Sequence, residues 1–251
     1  MKSNTRVTLF IPCLVDAFQP QVGDAMVGIF RHLGLPVDYP PDQTCCGQPA
    51  LNAGYRREAK IAARRFIEIF EPAEAVVGPS GSCVHTVRHH YRLLFQEEAS
   101  WLRRARQVAD KTYELSEFLV DVLGVDDLGA RYRGRVTYHD SCHLCRGLGI
   151  RSQPRRLLQR VRGIDFVEMP ESDRCCGFGG SFAVKYPEIS EAMLADKIDF
   201  IRACGADTVV GCDTGCLMNI QGMVNRRHLT IQTLHIAELL GRGLQLDSDP
   251  A

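Results

Sequence analysis

Two copies of one cysteine pattern constrain this chain more than any other feature of its sequence. Each copy has a lone cysteine, then a Cys-Cys-Gly triplet, then one further cysteine. The lone cysteine precedes the pair by 32 positions in the first copy and by 33 in the second, and the last cysteine follows the pair by 37 and 40. The sets are Cys13, Cys45, Cys46 and Cys83, and Cys142, Cys175, Cys176 and Cys216. We therefore expect a chain of 251 residues to fold as two related halves.

The chemistry of the pattern favours metal binding over disulfide formation. Adjacent cysteines make a poor disulfide because the bridge strains the peptide between them, but they present two thiolates on one tight loop. Glycines after the second pair, in R-C-C-G-F-G-G-S-F, let the backbone pass close to a bulky inorganic group. Each cysteine set is thus predicted to bind a metal or a cluster, with Gly177 and Gly179 contributing to the second site.

Composition excludes several classes of partner. Lysine plus arginine number 30 and equal aspartate plus glutamate, so no net charge attracts nucleic acid or an anionic membrane. The N-terminal stretch lacks the apolar run and cleavage site of a signal peptide, which predicts a cytoplasmic, reducing location in which eleven cysteines are more often metal ligands than disulfides. No apolar run reaches the ~18 to 20 residues of a membrane span, so any membrane association is expected to be peripheral.

Short apolar runs alternate with amphipathic stretches along the chain. Strands are predicted at 6–12, 37–39, 75–78, 135–139, 164–168 and 208–211, and helices at 23–33, 53–70, 83–95, 155–161, 188–202 and 233–240. The fold class predicted is α/β, with two duplicated Rossmann-like βαβ halves, each with a small parallel sheet. The cysteines fall at the C-terminal strand ends, where such sheets gather ligands. We assign 1–95 to the first half, 96–133 to a helical connector and 134–251 to the second half.

Other chemically active residues near the two sets are expected to be secondary. Cys145 and Cys212 have no counterpart cysteine in the first half, so we predict that they are not ligands. His85, His139 and His143 lie close to cysteines and could hydrogen-bond a sulfur or replace a ligand, although a solvated or supporting histidine is the simpler interpretation.

The chain resembles the cysteine-rich CCG-domain proteins, and most closely the lactate utilization protein A family (LutA/YkgE). The motifs that carry this resemblance span nearly the whole chain. They are C-L-V-D-A-F-Q-P at 13–20, C-C-G-Q-P-A at 45–50, G-P-S-G-S-C at 78–83, A-D-K-T-Y-E-L at 109–115, C-C-G-F-G-G-S-F at 175–182 and G-C-L-M-N-I at 215–220.

The resemblance implies an iron–sulfur subunit that works with LutB-like and LutC-like companions to oxidise L-lactate to pyruvate. It also implies kinship with heterodisulfide reductase B subunits and with the iron–sulfur subunit of glycolate oxidase. In those relatives a half can carry a fifth cysteine, in a C-x-x-C motif, around a noncubane [4Fe–4S] cluster. Here Ser80 and Asp213 replace the first cysteine of that motif, and they are candidate oxygen ligands.

Three functions remain open at this stage. The leading hypothesis is electron transfer, with a [4Fe–4S]-type cluster on the second cysteine set and a second cluster or a structural zinc on the first. The alternatives are a zinc-stabilised scaffold without a redox role and a thiol–disulfide reductase subunit of the heterodisulfide-reductase type.

Overall fold

Two four-stranded parallel sheets form the framework of the protein in the computed structural model, which describes residues 5–245. Residues 1–4, part of the stretch that argued against a signal peptide, lie outside this range. The first sheet has the order β2-β1-β3-β4 and the second the order β6-β5-β7-β8. The strands are β1 (Val7–Leu9), β2 (Val37–Asp38), β3 (Ala75–Gly78), β4 (Thr112–Glu114), β5 (Arg131–Tyr138), β6 (Arg162–Phe166), β7 (Thr208–Gly211) and β8 (Gln232–His235).

Helices connect the strands, as parallel pairing requires. In the first half they are α1 (Cys13–Phe18), α2 (Pro20–His32), α3 (Gln48–Asn52), α4 (Arg56–Phe70), α5 (Gly81–His85), α6 (Tyr91–Leu94), α7 (Ala99–Ala109) and α8 (Leu115–Glu117). In the second half they are α9 (Ser152–Arg160), α10 (Ser181–Lys185), α11 (Pro187–Cys204), α12 (Thr214–Arg226) and α13 (Ile236–Gln245). Three π-helical segments extend α5, α8 and the turn after Cys142, at Thr86–His90, Phe118–Val122 and His143–Gly147.

The two halves share one topology, which confirms the predicted α/β fold with two small parallel sheets. In the first half Val7 pairs with Ala75, and in the second Val136 pairs with Thr208 at the same place in the order. The fourth strands, β4 and β8, each lead directly into a helix. The sequence T-Y-E-L-S-E-F-L-V-D-V-L at 112–123 resembles T-I-Q-T-L-H-I-A-E-L-L at 230–240, and this similarity reflects a repeated strand–helix unit.

Two predicted helical stretches are partly wrong because each contains a short strand. Thr112–Glu114 forms β4 within the stretch expected to be a helical connector, and Gln232–His235 forms β8 where a helix was expected from position 233. Both strands have only three or four residues, and each is followed at once by a helix, so the helical period dominates any sequence window that covers it. The sheet, rather than local preference, selects the extended conformation.

A central hydrophobic core joins the halves. It combines Val7, Ile29 and Phe118 from the first half with Tyr138 and Leu239 from the second, all of them 0–1% exposed. Helix α13 packs on α2, and α8 packs on α9, so each half covers a helix of the other. Separate outer cores lie under α4 and α7 in the first half and under α11 and α12 in the second. The shared core fixes the two sets of strand ends relative to each other.

Candidate metal centre

Both cysteine sets face one cavity of about 300 Å³ between the halves. Its lining includes all eight predicted ligands, Cys13, Cys45, Cys46, Cys83, Cys142, Cys175, Cys176 and Cys216. In each half the lone cysteine follows the first strand, the Cys-Cys-Gly loop precedes a short helix, and the last cysteine follows the third strand. Three separate segments of each half thus converge at the carboxyl ends of its parallel strands, where ligand sites of such sheets lie.

The first cysteine set is closely spaced. The thiol of Cys13 donates to the Cys45 sulfur at an Sγ–Sγ distance of 3.6 Å, and the Gly47 amide donates to the same sulfur at 3.4 Å. The hydrogen bonds from Cys13 and Cys46 lower the pKa of Cys45 to about 3, with a smaller contribution from the Gly47 amide. This pattern favours a thiolate at Cys45, the protonation state that binds a metal.

The second cysteine set has the same arrangement. The Gly177 amide donates to the Cys175 sulfur at 3.4 Å, as Gly47 does to Cys45. Hydrogen bonds from Cys142 and Cys176 lower the pKa of Cys175 to about 2, and the Gly177 amide contributes further. Amide hydrogen bonds to a ligand sulfur are among the interactions by which proteins tune metal centres.

The glycines of the Cys-Cys-Gly loops have different tasks. Gly177 has φ +80°, and a Cβ atom there would lie 2.5 Å from the Ser190 carbonyl oxygen, so only glycine lets the loop pack on α11. Gly179, at φ +53°, lines the cavity itself. Of these two predicted site residues, Gly179 lies at the cavity, whereas Gly177 lies behind the cysteines and shapes their loop.

Ser80 and Asp213 occupy equivalent positions, at the N-terminal caps of α5 and α12, and they meet across the boundary between the halves. The Ser80 hydroxyl donates to Asp213 Oδ1 at 2.8 Å. The Ser82 amide and hydroxyl donate to the same oxygen at 3.1 and 2.8 Å, and the Ser141 hydroxyl donates to Oδ2. Oδ1 of this buried side chain therefore joins the halves, and Oδ2 is held by Ser141 within the second half.

The histidines near the cysteines have different environments. His139 is 1% exposed, so it is not a solvated histidine, and a supporting role or ligation stays open; neither of its ring nitrogens makes a hydrogen bond of ordinary geometry within residues 5–245. Burial lowers the pKa of His139 to about 3, and the nearby charge of Lys197 adds to the effect. His143 lines the cavity, with Nδ1 at 3.6 Å from the Cys142 sulfur. His85 packs against His143, with ring centroids 5.1 Å apart.

Cys145 and Cys212, the two cysteines predicted not to be ligands, do not line the cavity. Cys212 is fully buried, and its sulfur lies 3.1 Å from the Tyr138 hydroxyl. Cys145 is buried in the turn that follows Cys142. That neither of them is a ligand stays a prediction.

The donor sets fit an iron–sulfur or a zinc centre. Four thiols in each half match the ligation of common iron–sulfur clusters, and they match structural zinc sites equally well. Sequence analysis did not predict that the two sets would face one cavity, because that arrangement depends on how the halves pack.

Comparison with known proteins places this architecture in a defined class. Residues 7–88 and 136–221 each match the model of the CCG cysteine-rich domain, so the chain is a protein with two such domains. It is 48% identical over 239 residues to lactate utilization protein A 2 of Bacillus cereus strain 03BB102, covering 95% of this chain and 99% of that protein. It is also 48% identical over 235 residues to lactate utilization protein A of Bacillus subtilis strain 168, covering 94% and 98%. The chain belongs to the lactate utilization protein A family.

A solved structure supports the fold. A hypothetical protein from Helicobacter pylori superposes with a TM-score of 0.58 at 10% sequence identity, over 96% of this chain and 49% of that protein. At this level of identity the likeness concerns the fold alone. No helix in the described part of the chain has the length and apolar character needed to span a membrane.

Proposed function

We propose that this chain is an iron–sulfur electron-transfer subunit of a complex that oxidises L-lactate to pyruvate. The observation that carries the proposal is the convergence of two equivalent four-cysteine sets on one cavity. Membership of the lactate utilization protein A family supplies the metabolic context. A cluster bound to the second set would supply a one-electron carrier.

The residues of the chain hold and shield such a centre. Cys176 is buried and the other three cysteines of the set are half-buried, so the access of water to all four is limited. The amide hydrogen bond from Gly177 reduces the charge density on the Cys175 sulfur, and the aromatic ring of Phe178 covers part of the cavity wall. Limited access of water and hydrogen bonds to sulfur are the means by which proteins set the potential of a cluster.

The oxidation of lactate itself is assigned to a companion subunit. The sequence contains no flavin or nicotinamide motif, and the names of its relatives imply a set of lactate utilization proteins. We assign LutB-like and LutC-like proteins as partners and the cytoplasm as the location, with any membrane association made through the partners. The balance of charges offers no reason to add nucleic acid to the partners.

A structural zinc in the first half is a second candidate, and one distance favours it. Neighbouring sulfurs of a tetrahedral site with Zn–S bonds of ~2.3 Å lie ~3.8 Å apart. The Sγ atoms of Cys13 and Cys45 are 3.6 Å apart, close to that value. In this case the first set stabilises the fold and the second set alone transfers electrons.

Metal and sulfide analysis of protein purified without oxygen tests the proposal. We expect about four irons and four acid-labile sulfides per cluster-bearing half, with a brown colour. Cys175→Ser should remove the second-half cluster, and the matched Cys45→Ser should remove only the iron or zinc of the first half. Zinc without sulfide in both halves, even after anaerobic reconstitution, would reject electron transfer and leave a zinc-stabilised scaffold.

A further inference from the structure

His139 is a buried side chain whose ring nitrogens have no hydrogen-bond partner of ordinary geometry in the part of the chain that the structure describes. It directly follows β5 and lies three residues before Cys142. Its imidazole is 1% exposed, and both ring nitrogens lack a hydrogen bond of ordinary geometry within residues 5–245. Buried polar groups are satisfied in the great majority of native proteins, and exceptions often mark an ion or a catalytic role.

The imidazole lies beside two of the predicted ligands. A ring nitrogen of His139 and the sulfurs of Cys176 and Cys216 all lie within 4.8 Å of one another. Zinc and iron are bound both by the nitrogen of a neutral imidazole and by the sulfur of a thiolate. Sites that combine the two donors occur among zinc sites and among iron–sulfur centres. The unpartnered nitrogens therefore sit where a metal ligand would be useful.

In the first half the position equivalent to His139 is occupied by Phe10, which cannot bind a metal. Phe10 lies three residues before Cys13, and its amide donates to the Val77 carbonyl at 3.0 Å. The His139 amide donates to the equivalent Val210 carbonyl at 2.8 Å, so the two side chains leave matching points of the two sheets. Phe10 packs in an edge-to-face arrangement on Phe66, with ring centroids 4.8 Å apart.

A second residue near His139 also differs from its counterpart in the first half. The close approaches of Gly47 to Ala59 and of Gly177 to Ser190 align α4 with α11, and seven residues further on Phe66 corresponds to Lys197. The Lys197 ammonium is buried and donates to the carbonyls of Glu171 and Ser172 at 2.9 and 3.1 Å. An apolar pair beneath the first cysteine set is thus replaced by an imidazole and an ammonium beneath the second.

We propose that His139 is a ligand of the second metal centre, together with Cys176 and Cys216, and that this makes the two centres chemically different. The expectation of an iron–sulfur centre rests on the proposed function, whereas the ligand assignment applies equally to zinc. A neutral imidazole in place of a thiolate leaves a centre with less negative charge, and the nearby Lys197 ammonium acts in the same direction. Both features favour a higher reduction potential in the second half than in the first.

Nitrogen hyperfine spectroscopy tests the ligand directly. Full-length protein with Cys45→Ser and Cys46→Ser retains the second set, and labelling its histidines with ¹⁵N makes any bound imidazole visible. We expect a strongly coupled ¹⁵N nucleus in the electron–nuclear double resonance spectrum of the reduced centre. The coupling should be lost in His139→Phe and kept in the matched His143→Phe, which removes the other imidazole near Cys142.

Each other outcome also decides the proposal. Absence of a strongly coupled nitrogen, or its loss in His143→Phe rather than in His139→Phe, would overturn the assignment of His139. If His139→Phe does not fold, the double variant His139→Phe/Lys197→Phe copies the Phe10–Phe66 pair and should keep iron while losing the coupling.

A zinc-only protein would distinguish failure of the proposed electron transfer from failure of the His139 ligand assignment. If the protein contains zinc and no iron, the proposed function fails, and zinc X-ray absorption then decides the ligand. One nitrogen at ~2.0 to 2.1 Å with sulfurs at ~2.3 Å would support His139 ligation, whereas sulfur ligands alone would overturn it.

Discussion

Asp213 joins the halves through hydrogen bonds at the floor of the cavity. Its carboxylate accepts hydrogen bonds from Ser80, Ser82 and Ser141, which leaves its oxygens committed to the protein. Serine and aspartate stand at the two equivalent positions where the resemblance to related proteins leads one to expect cysteine. In this protein the pair acts first as a connection between the halves.

Asp213→Ala should lower stability without removing metal. We expect the free energy of unfolding to fall by about 1–3 kcal/mol, because buried donors lose their acceptor. Denaturant unfolding measures this change, and iron and zinc analysis measures the metal. Thr214→Val is a matched control, since the neighbouring Thr214 hydroxyl is buried without a partner in the described residues and its loss should cost little. Loss of metal with unchanged stability would instead identify Asp213 as a ligand.

Glu114 predicts a pH dependence of stability. Burial raises the pKa of this carboxyl from 4.5 to about 7, although hydrogen bonds from Ser116 and Glu117 oppose the shift. Between these values the native state keeps a proton that the unfolded state has released. The free energy of unfolding therefore falls as pH rises, by at most about 1.4 kcal/mol per pH unit. Stability is not reduced by this group below pH 4.5.

Glu114→Gln should remove this dependence. Its amide oxygen can still accept from the Ser116 amide at the start of α8, so the cap persists. Urea unfolding at several pH values between about 5 and 7 should show the variant gaining stability relative to the natural protein as pH rises. If the free energies of unfolding of the variant and the natural protein change in parallel with pH, the ionisation of Glu114 is not the cause of the pH dependence.

At the scale of elements, α2 and α13 pack directly against each other across the boundary between the halves. A Cβ atom on Gly241 would lie 2.9 Å from Ala25 Cβ and 3.2 Å from its Cα, so glycine sets the distance between the helices. Gly28, also on α2, has open space around it. Substitutions at Gly241 and Gly28 therefore test the packing of α2 against α13 by adding only apolar atoms.

Gly241→Val should separate the helices and reduce the free energy of unfolding by about 1–3 kcal/mol. Gly28→Ala should leave stability unchanged or raise it by up to about 1 kcal/mol, because alanine favours the helix. Thermal unfolding of the two variants compares these effects. Equal melting temperatures would mean that α2 and α13 do not carry the connection between the halves.

Three of the four strands in each half could be predicted, since each contains valine or isoleucine and precedes a cysteine of the repeated sets. The fourth strands could not, because Thr112–Glu114 and Gln232–His235 are short and belong to the sheet only through pairing with β3 and β7. The repeated sequence block that contains them gave the correct relation between the halves even where the helix assignment was wrong. Repetition is thus a stronger signal than local period for these elements.

At the scale of the whole molecule, the duplication produces a single site. Cysteine spacing predicted which four cysteines converge within each half, and the cavity lining contains all eight of them. It could not predict the Ser80–Asp213 contact, because residues 133 positions apart meet only when the halves pack. Nor could it predict that His139 is buried beside Cys176 and Cys216 while its counterpart Phe10 belongs to an apolar core. Those differences make the halves unequal despite their shared fold.

Reduction by L-lactate is the most direct test of the proposed function. The protein would be mixed without oxygen with its LutB-like and LutC-like companions and L-lactate, and its own cluster followed by electron paramagnetic resonance. We expect the second-half cluster to be reduced only when the companions and L-lactate are both present. The paramagnetic signal of this reduced cluster should be absent in Cys175→Ser/Cys176→Ser. Pyruvate formation at the full rate with that variant, or with the cluster of this chain remaining oxidised, would contradict electron transfer through this protein.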